Sequence, residues 1–130
     1  MSPAHTVCLL DDEPSVVKAL GRLLASEGLA TEQFTQPARF LAYARTHAVE
    51  LAVLDVRMPG MSGLTVQGAL RIIQPNAGVI VITAEDDPAH RFAALAGGAT
   101  GFFLKPLNED AFLGAVRSAL GNADKARGTS

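Results

Sequence analysis

The chain holds a single cysteine among 130 residues, so no disulfide can form within it. Cys8 lies inside an apolar stretch and reads as a small buried hydrophobe rather than a redox or catalytic thiol. Charge is also sparse. Eleven basic and 13 acidic residues leave a net charge of −2, which gives no overall basic field for nucleic acid or anionic membrane. No apolar run approaches the roughly 18 residues of a membrane span. Residues 1–6 lack the basic and apolar segments of a signal peptide, so the expected setting is cytoplasmic and reducing. His5, His47 and His90 share no metal-ligand spacing with one another or with Cys8, and read as surface residues. Gly60–Gly63 is no phosphate-cradling P-loop, because no lysine follows it at the required spacing.

What is present is a globular balance, 48% apolar and 18% charged, in a length that suits one domain with a real core. Four short apolar runs stand out. Val7-Cys8-Leu9-Leu10 leads into Asp11-Asp12, and Leu51-Ala52-Val53-Leu54 into Asp55. Val79-Ile80-Val81-Ile82 leads into Thr83, and Gly101-Phe102-Phe103-Leu104 into Lys105-Pro106. Continuous runs of this length suit strands buried on both faces of a parallel sheet.

Helical patterns alternate with these runs. Pro14 suits a first helical position, with Val16, Val17, Leu20, Leu23 and Leu24 on one face and Gly28 as a stop. Leu29–Phe34 reads as a short second strand, and Pro37 opens a helix carrying Phe40, Leu41 and Ala44. A turn-rich loop, residues 58–63, precedes a helix through Val66, Leu70 and Ile73 that ends before Pro75. Asp87-Pro88 caps and starts a helix to about Ala96, ended by Gly97-Gly98. Asn108 caps a last helix through Leu120. Residues 121–130 read as a polar tail or the start of a linker, which leaves 1–120 as the domain.

Five strand–helix units of this kind predict an α/β fold: a (βα)5 doubly wound, flavodoxin-like, parallel five-stranded sheet in the order 2-1-3-4-5. In that order the crevice opens between the first and third strands, where Asp11-Asp12 and Asp55 end their runs. Clustered carboxylates resist joint ionisation, and a hard cation such as Mg²⁺ resolves the conflict. Beside a cation, Asp55 can act as a nucleophile toward phosphorus. Lys105 would supply positive charge to the phosphoryl oxygens, Thr83 a hydrogen bond, and Ala84 room and a backbone N–H. Pro106 restricts the backbone of Lys105, and a cis bond there is compatible with the sequence.

Four segments together resemble the receiver domain of two-component response regulators. They are Leu9-Leu10-Asp11-Asp12-Glu13-Pro14, residues 54–63, Val81-Ile82-Thr83-Ala84, and residues 98–106. The likeness spans about Thr6 to Leu120. The stretch 56–63 is similar to receivers that precede a helix-turn-helix output domain. The resemblance implies that Asp55 is the phosphoacceptor, charged by a sensor histidine kinase or a phosphotransfer protein. It implies that Asp12 and Asp55 ligate Mg²⁺ directly, that Asp11 acts through water, and that the backbone carbonyl of Arg57 is a further ligand. Lys105 and Thr83 match the phosphate-binding lysine and the switch hydroxyl, and Phe102 matches the aromatic switch position. Phe102 also fits a plain core role, since Phe103 beside it must point to the opposite face.

The expected output is a rearranged face made by the fourth helix, fifth strand and fifth helix, used for homodimerisation or partner control. The chain is then a phosphorylation-dependent signalling module in a phosphorelay, tied to transcription regulation. It is not an enzyme beyond its own phosphorylation and dephosphorylation, and it makes no direct contact with nucleic acid or membrane. A Mg²⁺-dependent phosphatase with an aspartyl nucleophile is the alternative. Such enzymes usually place an aspartate two residues beyond the nucleophile, where this chain has Arg57. Arg57 and Glu85, each two residues beyond a key position, are expected to flank the mouth of the site and pair across it, limiting attack by water. Two separately solvated charges are the plain alternative.

Overall fold

The computed structural model describes residues 5–128, with side chains described through residue 121. Five strands and five helices alternate: β1 (Thr6–Leu10), α1 (Pro14–Ala25), β2 (Ala30–Phe34), α2 (Pro37–Thr46), β3 (Leu51–Asp55), α3 (Gly63–Ile73), β4 (Gly78–Thr83), α4 (Pro88–Ala96), β5 (Gly101–Leu104) and α5 (Glu109–Gly128). All pairings are parallel, in the order β2-β1-β3-β4-β5. The expected fold class and strand order are observed.

Side chains alternate across a strand with period two, and here the two sets feed two separate cores. Val7, Leu9, Leu51, Val53, Ile80 and Ile82 pack with α1 and α5. Cys8, Leu10, Ala52, Leu54, Val79 and Val81 pack with α2, α3 and Ala94 of α4. Burial raises the Cys8 thiol to about 12, helped by the nearby Glu32 charge, so it stays an inert thiol.

The predicted helix caps act where expected: Asp87 accepts a hydrogen bond from Ala89 N at 2.9 Å and Asn108 from Ala111 N at 2.9 Å. Ser62, read only as part of a turn-rich loop, also caps α3 by accepting from Leu64 N at 3.0 Å. Gly28 and Gly98 take φ of +79° and +98° just beyond α1 and α4, a region where a Cβ is strained.

One burial and one boundary differ from the sequence reading. β5 is not buried on both faces, and Leu104 is 39% exposed. It lies at the sheet edge, and the neighbouring α4 buries only Ala94. The last helix runs on to Gly128 rather than stopping near Leu120. Nothing helix-breaking stands at Gly121, and a glycine inside a helix costs only about 1 kcal/mol.

The histidines also differ. His5 and His90 are only 25% exposed, and His5 sits 2.8 Å from Glu50. His47 is exposed and stacks on Tyr43 at 4.0 Å.

Candidate functional site

The register carries the site groups to one edge. Leu10 pairs with Leu54, so Asp11 and Asp55 each follow at adjoining strand ends. Asp55 pairs with Ile82, which puts Thr83 one step further along β4, and Thr83 pairs with Leu104 just before Lys105. Backbone bonds pin these ends: Val56 N to Ile82 O at 2.9 Å, Lys105 N to Thr83 O at 2.8 Å, and Gly63 N to Val56 O at 2.9 Å. The last of these lays the first turn of α3 directly against the end of β3. A Cβ at residue 63 would overlap the carbonyl oxygen of Asp55, so only glycine fits there. The Lys105-Pro106 peptide is cis.

Asp11, Asp12 and Asp55 bring carboxylate oxygens within 4.8 Å of one another. Asp11 and Asp55 are 1% and 4% exposed, so their charges are largely withdrawn from water. Lys105 Nζ donates to Asp11 Oδ2 at 2.7 Å and lies 3.3 Å from Asp55 Oδ1. One ammonium thus serves two of the three acids.

The electrostatics show the remaining imbalance. Burial, then the Asp11 charge, push the Asp55 carboxyl from 3.8 up to about 6, against the pull of Lys105. For Lys105 the largest effect is burial, which lowers it. The hydrogen bond and charge of Asp11, with Asp55, outweigh that and the net direction is up. Three carboxylates that one ammonium does not neutralise are a hard-cation donor set, so the residues present fit a divalent ion.

Thr83 is fully buried, and its Oγ1 accepts a hydrogen bond from Glu85 N at 3.1 Å. Ala84 beside it is exposed. Arg57 Nη2 meets Glu85 Oε2 at 2.6 Å, the expected pairing across the mouth. Phe102 and Phe103 point to opposite faces as expected. Phe103 packs edge-on against Phe112 at 5.9 Å, while Phe102 packs on the other core under the Arg91 guanidinium, 5.8 Å from its ring centroid. Phe102 is half-buried rather than a fully enclosed core residue.

The sequence reading missed the environment of His90. Its Nδ1 lies 3.9 Å from Glu85 Oε1 and has no hydrogen-bond partner, and its Nε2 lies 3.8 Å from Asp87 Oδ2. Both acids already have roles, Glu85 with Arg57 and Asp87 as the α4 cap. It also missed Gln67, a polar residue 3% exposed, whose Nε2 donates to Ala94 O at 2.9 Å. The signal was available: position 67 falls in the same stripe as Gly63, Val66 and Leu70.

A doubly wound parallel sheet with an acid triad and a lysine at its topological switch point defines a phosphoryl- and cation-handling class of α/β domain. The match to family models is more specific. Residues 7–117 match the response regulator receiver domain, and the chain belongs to that family. It is 39% identical over 124 residues to the response regulator protein TodT of Pseudomonas putida, covering 95% of this chain and 55% of TodT. It is 37% identical over 121 residues to the transcriptional regulatory protein FixJ of Azorhizobium caulinodans, covering 93% of this chain and 56% of FixJ. The chain therefore spans about half the length of these relatives.

The fold is that of a CheY-like receiver domain from Methanospirillum hungatei, with a TM-score of 0.90 at 21% identity over 95% of this chain and 99% of that one. Receiver domains of this family are modules of phosphorylation-dependent signalling rather than enzymes with a turnover substrate. Neither the family match nor the relatives support the phosphatase alternative. Among the described residues, no helix is long and apolar enough to cross a membrane.

Proposed function

We propose that Asp55 accepts a phosphoryl group from a phosphohistidine on a sensor kinase or phosphotransfer protein. The single observation that carries this is the crowded set at the sheet edge: three carboxylates within 4.8 Å, with Lys105 bridging Asp11 and Asp55. Mg²⁺ would be held by Asp12 and Asp55, by Asp11 through water, and by the backbone carbonyl of Arg57. When bound it supplies the charge neutralisation that phosphoryl transfer needs.

The chain's own residues do the rest. A carboxylate oxygen of Asp55 forms the bond to phosphorus as the donor's N–P bond breaks, and the electron pair of that bond stays on the imidazole. Lys105 moves its ammonium from the acids to the new phosphoryl oxygens. Thr83 gives up its acceptor role toward Glu85 N and donates its hydroxyl to the phosphoryl group, with the Ala84 N–H beside it. An open cleft of about 430 Å³, lined by Arg57, Met58, Ser62 and His90, leaves an approach next to the nucleophile. In this way the domain catalyses its own phosphorylation and dephosphorylation.

The output face is α4-β5-α5. Phe92, Leu95 and Leu104 are 76%, 44% and 39% exposed, and apolar side chains open to water favour a homodimer or an output domain as partner. Phe102, on the α4 side of β5, is the steric element of the switch. The receiver ends in α5, which runs on to Gly128, in a whole protein that regulates transcription from the cytoplasm.

The test is intact mass after incubation with a small phosphodonor and Mg²⁺. A gain of one phosphoryl unit, absent in Asp55→Asn and abolished by EDTA, is expected. No gain with any donor refutes the reading.

A further inference from the structure

We propose that Gln67 and Arg71 on α3 form a polar latch that holds α4 in its resting position, so that opening this latch is what the signal at Asp55 has to drive. The proposal rests on the phosphoacceptor reading above and adds its regulation.

Little else holds α4. Of its nine residues only Ala94 is buried, whereas α3 buries four. The large apolar side chains of α4, Phe92 and Leu95, face water. A helix with one small buried residue lacks an apolar anchor against sliding or rotation. Polar contacts take that place at both ends.

At the N-terminal end, Glu85 N donates to Thr83 Oγ1, Glu85 pairs with Arg57, and Asp87 caps the first turn. At the C-terminal end the ties come from α3. Gln67 Nε2 donates to Ala94 O at 2.9 Å, and Arg71 Nη1 donates to Gly97 O at 3.2 Å. Ala94 O also accepts from Ala99 N at 3.0 Å, so Gln67 adds a second donor to it, while Gly97 O lies just past the last turn, where acceptors lack partners within the helix.

The local backbone suits such a latch. A Cβ at residue 97 would come within 2.9 Å of Gln67 Nε2, so glycine permits the close approach. A cavity of about 170 Å³, lined by Gln67, Arg71, Val79 and Gly97 among others, lies between α3 and this end of α4 and leaves space for a second arrangement.

The two ties differ in kind. Gln67 is 3% exposed, so its amide loses its partner inside the protein if α4 departs, and a buried unpartnered donor is costly. Arg71 is exposed, and water can replace its bond. Gln67 therefore makes the resting position a discrete well and Arg71 deepens it slightly. Discrete wells are what convert a small shift at a site into a two-state response. Thr83 controls the other end: once its hydroxyl turns to a phosphoryl group, Glu85 N loses its acceptor, and the buried tie that still resists is the one from Gln67.

The test is amide hydrogen exchange of the full chain, followed by peptide mass, with and without phosphoramidate and Mg²⁺. In Gln67→Met, which keeps the volume and removes the donor, exchange at residues 97–99 without phosphodonor should rise about tenfold. The rise should approach the level of the phosphorylated wild type. Arg71→Ala, an exposed site with no risk to folding, should give a rise of about two- to threefold at the same residues. The sheet and α1 should be unchanged in both.

Unaltered exchange in both variants, or an equal rise in every helix, overturns the proposal. So does a wild type whose mass shows full phosphorylation while α4 stays as protected as before. A wild type that gains no phosphoryl mass refutes the phosphoacceptor reading instead, and the comparison without phosphodonor still decides whether the latch exists.

Discussion

Replacing Asp55 with asparagine should stabilise the metal-free domain, although Asp55 is the centre of the site. The carboxyl moves from 3.8 to about 6 on folding, because burial and the Asp11 charge disfavour its ionised form. At 1.36 kcal/mol per pH unit, that displacement is a cost of roughly 3 kcal/mol to the folded state at neutral pH. The sign follows from proton uptake. Between pH 3.8 and about 6 the folded state holds a proton that the unfolded chain has released, so stability falls as pH rises through this window and is flat above it.

Asparagine has no charge to desolvate, and Lys105 keeps its 2.7 Å bond to Asp11. Some attraction between Lys105 and residue 55 is lost, so the expected net gain at pH 7.5 in EDTA is about 1–3 kcal/mol. At roughly 4 °C per kcal/mol for a domain of this size, Tm should rise by about 4–12 °C. Urea unfolding at pH 7.5 and at pH 3.5, with an unchanged denaturant slope, provides the measurement. An Asn variant no more stable than wild type at pH 7.5 refutes the reasoning. A gain equally large at pH 3.5 also refutes it, because the penalty would then not be electrostatic.

Three further outcomes are expected. Mg²⁺ should raise the Tm of the wild type in a concentration-dependent way, and Asp12→Asn should abolish most of that rise, since a ligand bound only by the folded state stabilises by mass action. Thermal scans over a Mg²⁺ series check this, and an identical response in the variant counts against Asp12 as a ligand. Arg57→Ala and Glu85→Ala should shift stability by less than about 1 kcal/mol, because the pair is 70% and 43% exposed. Both should hasten loss of the phosphoryl group by opening the mouth to water, and unchanged dephosphorylation rates would sink the idea. Gly63→Ala should destabilise by about 1–3 kcal/mol or more, because the added Cβ overlaps backbone at Asp55 that cannot step aside. A variant as stable as wild type by urea unfolding would show that α3 can shift without loss.

Much of this was legible in the residues. The four apolar runs are strands, and their terminal groups converge because parallel strands in register end together. The pairing of Arg57 with Glu85 followed from their equal offsets beyond two adjoining strand ends. What was not legible depends on tertiary position. Gly101–Leu104 reads like the buried runs, yet position at the sheet edge leaves it half open. Residues 121–130 read as a polar tail, yet a lone glycine is a weak breaker and α5 continues to Gly128. Gln67 gave a signal, a glutamine in an apolar stripe, but its partner is a backbone carbonyl 27 residues away, which no local pattern encodes.

The alternation of side chains also separates Asp11, Asp55 and Lys105 from Thr83 and Phe102. Asp11, Asp55 and Lys105 continue the series of Leu9, Val53 and Phe103, which face α1 and α5. Thr83 and Phe102 belong with Val79 and Val81, which face α2, α3 and α4. Asp11, Asp55 and Lys105 thus lie on one side of the sheet edge, and Thr83 and Phe102 on the other. Thr83 is the site residue on the α4 side that also bonds to the chain entering α4, through Glu85 N. Phe102 meets α4 directly, under Arg91. The ring joins β5 to α4 at the surface where Phe92 and Leu95 stand open to water, so a shift of α4 would change its contact with Arg91.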